Sequence, residues 1–276
     1  MTAFSVLMSV YARENPQWLR QSLSSILSEQ TVKPAQVVLV ADGPLHDELE
    51  QVIADFQQHY GDLLDVCRLG SNCGLGHALY EGLLYCKFDW VARMDADDIA
   101  LPQRFSRQLD FIMHNPQVDI VGSYAEDMDA TGSAIGVRKV PLGAAQIYQL
   151  MWTCPLIHPS VMYKKSVVLT AGSYSKTLKR RQDYDLWFRC AKAGAGFANI
   201  AEPLIRYRIT DQTYARNSVS VAWNQAIIGF KGCRALSLGL KAHVGVFYPV
   251  VKAILPLKLR KGLEGTIKKF DPRGKH

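Results

Sequence analysis

At 276 residues, 48% of them hydrophobic, the chain has material for one large α/β domain or two small ones. Its six cysteines, at positions 67, 73, 86, 154, 190 and 233, contain no CxxC pair, which suits neither a disulfide framework nor a zinc site and points to a reducing, cytosolic compartment. The formal charge of +7 is a tail property: from Lys231 to His276 eleven Lys or Arg face two acids, +9 in all, leaving −2 for the first 230 residues and arguing against a nucleic-acid-binding body.

The first apolar run begins within three residues of Met1, so no signal peptide is expected. FSVLMSV (Phe4 to Val10) reads as a buried strand. Asn15-Pro16 then supplies an N-cap and a first-turn proline for a helix whose Leu19, Leu23, Ile26 and Leu27 recur at helical spacing. QVVLVA (Gln36 to Ala41) is the next strand, stopped at Asp42-Gly43-Pro44. A helix near 47–60, a strand near 64–68, a helix over 75–86 and a strand from Trp90 into Asp95 complete the alternation. This order predicts a parallel, doubly wound sheet, in which ligands bind beyond the carboxyl ends of the strands. Tyr11, Asp42, Asn72 to Gly74 and Asp95 to Asp98 each fall just past an apolar run, so four segments converge on one edge.

The last of these segments, RMDADD (Arg93 to Asp98), holds three carboxylates in four positions. Such groups repel one another unless a metal, a cationic ligand or a helix N-terminus offsets their charge. A helix over 102–115 needs a cap, and Asp98 is assigned to it. Asp95 and Asp97 then lie on one side of an extended segment, where they can share a hard cation and the oxygens of a diphosphate; turn and cap chemistry is the plain alternative. Tyr11 can stack on a nucleobase and Asp42 can accept from a base imide or ribose, against the ordinary readings of surface aromatic and turn aspartate. Asn72-Cys73-Gly74 can be a helix cap, while Gly74 and Gly76 would also admit a ligand close to the backbone.

Beyond about residue 125 the alternation weakens. Residues 127–140 read as a polar turn region, 152–162 (WTCPLIHPSVM) as neither helix nor strand, 184–193 as a helix and 203–208 (PLIRYR) as a short strand. With no linker and no internal repeat, one continuous unit is expected. Residues 244–257 are apolar but too short and too interrupted, by Lys252 and two prolines, to span a bilayer. Followed by Lys258, Arg260, Lys261, Lys268 and Lys269, they read either as a membrane-interfacial segment or as a helical hairpin packed on the body.

SVY (Ser9 to Tyr11), ADG (Ala41 to Gly43), NCG (Asn72 to Gly74), MDADD (Met94 to Asp98), HPSVM (His158 to Met162) and QDYDLW (Gln182 to Trp187), taken with their order and spacing over about 4 to 210, resemble family 2 glycosyltransferases of the inverting GT-A type. The resemblance implies an α/β fold with a Rossmann-like, doubly wound, mostly parallel sheet, a smaller acceptor-side region and a helical C-terminal tail. Domain 1–225 then divides into a donor half, about 1–125, and an acceptor half, about 126–225, with the tail at 226–276.

It further implies a nucleotide-sugar site of Ser9, Tyr11, Asp42, Asn72 and Asp95, with Tyr11 and Asp42 at the base, Asp95 at the ribose or nucleotide, and Asp97 as ligand of a divalent metal, Mg2+ or Mn2+. The family places a catalytic base at the start of the helix after the acceptor region, which here is Asp183; the usual Glu-Asp pair is Gln182-Asp183. A helix N-cap is the structural alternative for Asp183. Arg206 and Arg208 are expected to point at the donor diphosphate, and His158 and Trp187 to serve the acceptor or diphosphate side. Lys179-Arg180-Arg181 beside the base can attract an anionic acceptor.

The expected activity is transfer of a sugar, most naturally from a UDP-sugar, to a lipid-linked saccharide in surface polysaccharide assembly, by a cytoplasmic enzyme peripheral on the inner face of the membrane. A sugar nucleotidyltransferase is the rival enzyme, but SVYAREN lacks its glycine-rich phosphate loop. A non-catalytic saccharide-binding assembly protein is the other rival, opposed by the retention of Asp95, Asp97 and Asp183.

Overall fold

A computed structural model describes residues 2–210 and 218–254. The first hundred or so residues follow the sequence pattern closely. β1 (Phe4–Val10), β2 (Gln36–Ala41), β3 (Leu64–Arg68) and β4 (Trp90–Asp95) are parallel, linked by α1 (Pro16–Leu27), α2 (Asp47–Tyr60) and α3 (Leu75–Tyr85). Asn15 caps α1, its side chain accepting from the amides of Gln17 (2.8 Å) and Trp18 (3.3 Å), as the Asn-Pro pair predicts.

Alternation along β1 sorts its side chains between two cores. Phe4, Val6, Met8 and Val10 face α1, α2 and α4 (Arg104–His114), whereas Leu7 joins Val38 and Val40 of β2 against α3. Helices therefore cover both faces of the sheet, as parallel strands require. The chain reverses its winding at β1, which has β2 on one side and β4 on the other. The crevice for a ligand at such a reversal lies between the carboxyl ends of β1 and β4.

Beyond β4 the sheet runs β8-β6-β9-β5, with β5 (Ile99–Ala100), β6 (Ile120–Met128), β8 (Met162–Lys164) and β9 (Phe197–Arg208), and β7 (Ala134–Arg138) pairs with β6. β8 enters antiparallel to both β4 and β6, so the sheet is mixed; β6 and β9 are again parallel. Because all these strands share one sheet, the chain before and after about residue 125 forms a continuous body. Residues 127–140, expected as a polar turn, instead carry the β6–β7 hairpin. Its outer strand is solvent-facing, with Ile135 59% and Val137 53% exposed, so burial gave no sequence signal there. The 203–208 segment is the end of the longer β9, bulged against β6 near Tyr124.

Asp98 does not cap the helix that follows it. That helix begins at Arg104 with Gln103 at the cap position, and residues 99–100 intervene as β5. Asp98 is instead 1% exposed and accepts from the backbone amide of Arg208 in β9 at 2.8 Å.

Beyond β6, α5 (Ala144–Gln149), two 3-10 turns, α6 (Lys165–Thr170) and α7 (Gln182–Lys192) surround the second core. Three helices close the described chain: α8 (Val219–Ala235), α9 (Leu240–Gly245) and α10 (Tyr248–Ile254). α8 spans the expected boundary between residues 225 and 226. It seats on α7 through small residues: a methyl group at Gly232 would enter the ring of Phe188, and one at Gly229 would meet Tyr184 and Val246. Of the predicted interfacial segment, Val244 to Ile254 lies in the last two helices and the turn between them; Lys258, Arg260, Lys261, Lys268 and Lys269 lie outside the described residues.

Candidate active site

Strand register assembles the site. Ser9 of β1 pairs with Asp95 of β4, and Val10 pairs with Ala41 of β2. The amide of Asp42 donates to the carbonyl of Val10 at 2.8 Å, which brings Tyr11, Asp42 and Asp95 to one edge. Ser9 and Tyr11 are half-buried there and Asn72 is exposed.

Asp42 is 4% exposed, and its carboxylate already has two donors: the amides of Cys73 (Oδ1, 2.7 Å) and Gly74 (Oδ2, 2.9 Å). Asn72 donates to the Asp42 carbonyl at 3.2 Å. These bonds fix the loop before α3 against the end of β2. Gly74 takes the N-cap position of α3 at φ +90°. Gly76 serves packing rather than ligand approach, because a methyl group there would strike the carbonyl of Ser175.

At the end of β4, carboxylate oxygens of Asp95, Asp97 and Asp98 lie within 4.8 Å of one another. Asp98 Oδ2 is buried without a hydrogen-bond partner, and burial, then the charges of Asp97 and Asp95, push its carboxyl well above the ordinary range. Three hard oxygen donors, one of them buried and unsatisfied, match the needs of Mg2+ or Mn2+. Asp97 and Asp95 are half-buried and face the ligand side, so they are the residues placed to hold such an ion.

Arg93, to which the sequence reading assigned no task, supports this cluster from below. It is fully buried and ion-paired to Asp95 Oδ1, while its Nε and Nη1 have no partner. Period two in β4 puts residues 93 and 95 on one face, so an arginine inside the apolar run WVARMD was the available signal. Arg104 lies beside it, donating to the carbonyl of Arg93 at 2.7 Å; burial, then the charge of Arg93, lower its pKa to about 9.

Arg208 is 3% exposed and occupied as a tie. It donates to the carbonyl of Asp97 (2.8 Å) and to Gln21 (3.0 Å), and lies 4.8 Å from the ring centre of Trp18. Arg206 pairs with Glu126 at 2.6 Å. In this conformation both arginines bind protein groups, with Arg208 holding the acidic loop to β9.

Asp183 lies in the first turn of α7, whose N-cap is Arg181; it is therefore not the cap itself. Burial raises its carboxyl above the ordinary range, opposed by the nearby Arg181 charge and by backbone amides, while Asp95 across the cleft pushes in the same direction as burial. The first turn of α7 meets the first turn of α3, where a methyl group at Gly76 would lie 3.3 Å from Gln182 Cβ, so Asp183 sits near the loop that holds Asp42. Arg181 holds a left-handed φ of +63°, a strained conformation for a residue with a side chain.

His158 and Trp187 lie beneath this surface. His158 is 8% exposed and hydrogen-bonded through Nε2 to the Tyr174 hydroxyl at 3.0 Å; burial, with Arg93 nearby, holds its pKa well below the usual value and keeps the ring neutral. Trp187 is fully buried, with ring centres 6.0 Å from His158. Both are buried, so neither faces a dissolved acceptor directly.

The sequence profile described as glycosyl transferase family 2 matches residues 5–190. A Haemophilus influenzae protein named an uncharacterized glycosyltransferase is 36% identical over 270 residues, covering 95% of this chain and 98% of the relative. An Escherichia coli enzyme named UDP-Gal:alpha-D-GlcNAc-diphosphoundecaprenol beta-1,3-galactosyltransferase is 35% identical over 214 residues, 77% of this chain and 76% of the relative. Among solved structures, Staphylococcus aureus TarS 1-349 in complex with UDP-GlcNAc superposes with a TM-score of 0.68 at 14% identity, covering 97% of this chain and 76% of that one, which shows a shared fold of the GT-A type.

Proposed function

The chain belongs to glycosyl transferase family 2, and on that footing we propose that it is a metal-dependent, inverting transferase that moves a sugar from a UDP-sugar to a lipid-linked saccharide in surface polysaccharide assembly. The observation that supports the mechanism most is that the first turn of α7, which bears Asp183, packs on the first turn of α3 next to the Asp42 loop: a methyl group at Gly76 would lie 3.3 Å from Gln182 Cβ, two residues after the Gly74 amide that binds Asp42. The nucleotide lies across the carboxyl ends of β1, β2 and β4, with the base near Tyr11 and Asp42, the ribose near Asp95 and the diphosphate toward Asp97. Asp97 with Asp95 would hold a divalent ion, which would supply positive charge to offset that of the leaving diphosphate.

The acceptor hydroxyl approaches the sugar C1 opposite the diphosphate. Asp183 takes its proton, the oxygen bonds to C1, and the bond from C1 to the diphosphate oxygen breaks with its electron pair leaving on the nucleoside diphosphate. One displacement inverts the anomeric configuration. A raised carboxyl pKa strengthens Asp183 as a base.

No helix among the described residues is long and apolar enough to cross a membrane. Val244 (65% exposed), Tyr248 (46%), Val251 (58%) and Ile254 (67%) support a peripheral seat on an anionic membrane, which flotation with liposomes and a truncation at residue 235 tests. The enzymatic reading is tested by screening nucleotide sugars for metal-dependent binding and transfer with the wild type and Asp183→Asn. Donor binding without transfer in the variant is the expected result, and near-normal turnover overturns the assignment of the base.

A further inference from the structure

Between the 175–181 segment, α7 and α8 runs a groove of about 860 Å3 that opens beside the proposed base but belongs to neither the metal cluster nor the nucleotide edge. Among the described residues its lining has six cations and a single carboxylate, Asp185, whose charge is matched by Arg189 at 2.8 Å. The cations come from three directions: Lys179, Arg180 and Arg181 from the loop before α7, Arg189 and Lys192 from α7, and Lys231 from α8. The same groove has an apolar lining in Leu178, Phe188, Val221, Ile227 and Ile228. Ile227 also continues outward, with exposed Trp223 and Phe230 four and three positions away on one stripe of α8.

Each half of this lining excludes a class of ligand. A free phosphate or nucleotide needs the cations but gains nothing from a hydrocarbon wall several residues long. A bilayer surface is too broad to enter a concave groove. A polynucleotide requires an extended basic face, and the chain up to residue 230 carries −2. A ligand with a concentrated negative charge joined to a hydrocarbon chain satisfies both halves: phosphate oxygens bind several cations through charge-assisted hydrogen bonds, and the chain removes apolar surface from water along α8.

We propose that this groove is the docking site for the diphosphate and the proximal hydrocarbon of the acceptor lipid. The inference rests on the lipid-linked acceptor of the proposed function and adds a location to it. The diphosphate sits among Lys179, Lys192 and Lys231, the hydrocarbon follows Ile228 and Ile227 toward Trp223, and the saccharide extends past Arg181 to Asp183. Arg181 thereby connects the two sites, because its charge reaches the Asp183 carboxyl and its side chain lines the groove.

The test uses the full chain saturated with UDP and Mn2+, so that the donor edge is closed to added diphosphates. Binding of farnesyl diphosphate, farnesol and inorganic pyrophosphate is measured by calorimetry for the wild type, for the double variant Lys192→Glu and Lys231→Glu, and for Ile228→Asp. Farnesyl diphosphate is expected to bind at least tenfold tighter than either fragment, and each variant to lose at least tenfold with UDP affinity unchanged. Wild-type affinity in the double variant overturns the proposal, as does equal binding of farnesol or of pyrophosphate. So does a double variant that loses binding to phosphatidylglycerol vesicles but not to farnesyl diphosphate, which would make the face a membrane contact. Failure of the wild type to bind UDP with Mn2+ would instead reject the UDP-sugar donor of the proposed function, so the two failures are distinct.

Discussion

At the end of β4, three carboxylates within 4.8 Å sit over two buried arginines, whereas the groove beside α8 gathers six cations, most of them at its exposed rim, against one carboxylate. The acidic cluster is countered from inside the fold: Arg93 pairs with Asp95, and Arg208 bonds the Asp97 carbonyl and presents its amide to Asp98. In the groove Arg189 pairs with Asp185, and Lys179, Arg180, Lys192 and Lys231 are exposed. A site prepared for a metal and a diphosphate needs fixed geometry before the ligand arrives, because misplaced charges weaken the differential stabilisation on which catalysis depends. A site that recruits a long, amphipathic anion can leave its cations hydrated and still attract the ligand over a Debye length.

Charge removal at the rigid edge should therefore damage turnover far more than charge removal in the groove. Asp183→Asn keeps the shape of the first turn of α7 and removes the base; a loss of at least about a hundredfold in kcat with unchanged donor affinity is expected from rapid-quench assays. Asp97→Ala should act next, on binding rather than on the proton: metal-stimulated donor affinity falls by about tenfold or more, the scale of losses in metal-site support. Calorimetry of UDP with and without Mn2+ checks this, and full metal stimulation in the variant would show that Asp95 and Asp98 suffice.

Sequence periodicity located the rigid edge and missed most of the groove, for a physical reason. Parallel strands are buried on both faces, so FSVLMSV, QVVLVA and the run ahead of Asp95 announce themselves, and each next residue falls at the ligand edge. Arg93 hid in the same signal, since an arginine in a strand reads as noise until its pairing with Asp95 is seen. Asp98 was placed by local capping logic, but a long-range bond to Arg208, 110 residues away, decides its position. The groove depends on tertiary contact between α7 and α8, and Lys231 is 52 residues from Lys179, so only Lys179-Arg180-Arg181 stood out in the chain.

That contact between helices offers a smaller test of the comparison. Gly232→Ala forces a methyl group into the Phe188 ring, and because both groups are buried, α8 must shift on α7 at a cost of about 1–3 kcal/mol. Urea unfolding should show the loss. The groove should change width at the same time, so acceptor binding weakens while UDP binding at the distant edge stays as it was. Equal losses at both sites would mean that the edge is less independent of the C-terminal helices than the sheet topology implies.

The smallest expected effect is a shift in a pH profile, and it probes the one residue shared by the two sites. Asp183 works as a carboxylate, so kcat/KM should fall as pH falls through its pKa. Burial raises that pKa, which places the acid limb above the range of an ordinary aspartate, while the positive charge of Arg181 opposes the shift. Arg181→Gln removes the opposition, raises the pKa further and moves the limb to higher pH. Arg181→Lys retains a charge and should leave the limb close to its wild-type position, which separates the electrostatic role from the strained backbone at φ +63° that both variants share. A limb that stays fixed in Arg181→Gln would mean that the base is insulated from the groove. A limb that moves equally in both variants would assign the effect to guanidinium geometry rather than charge.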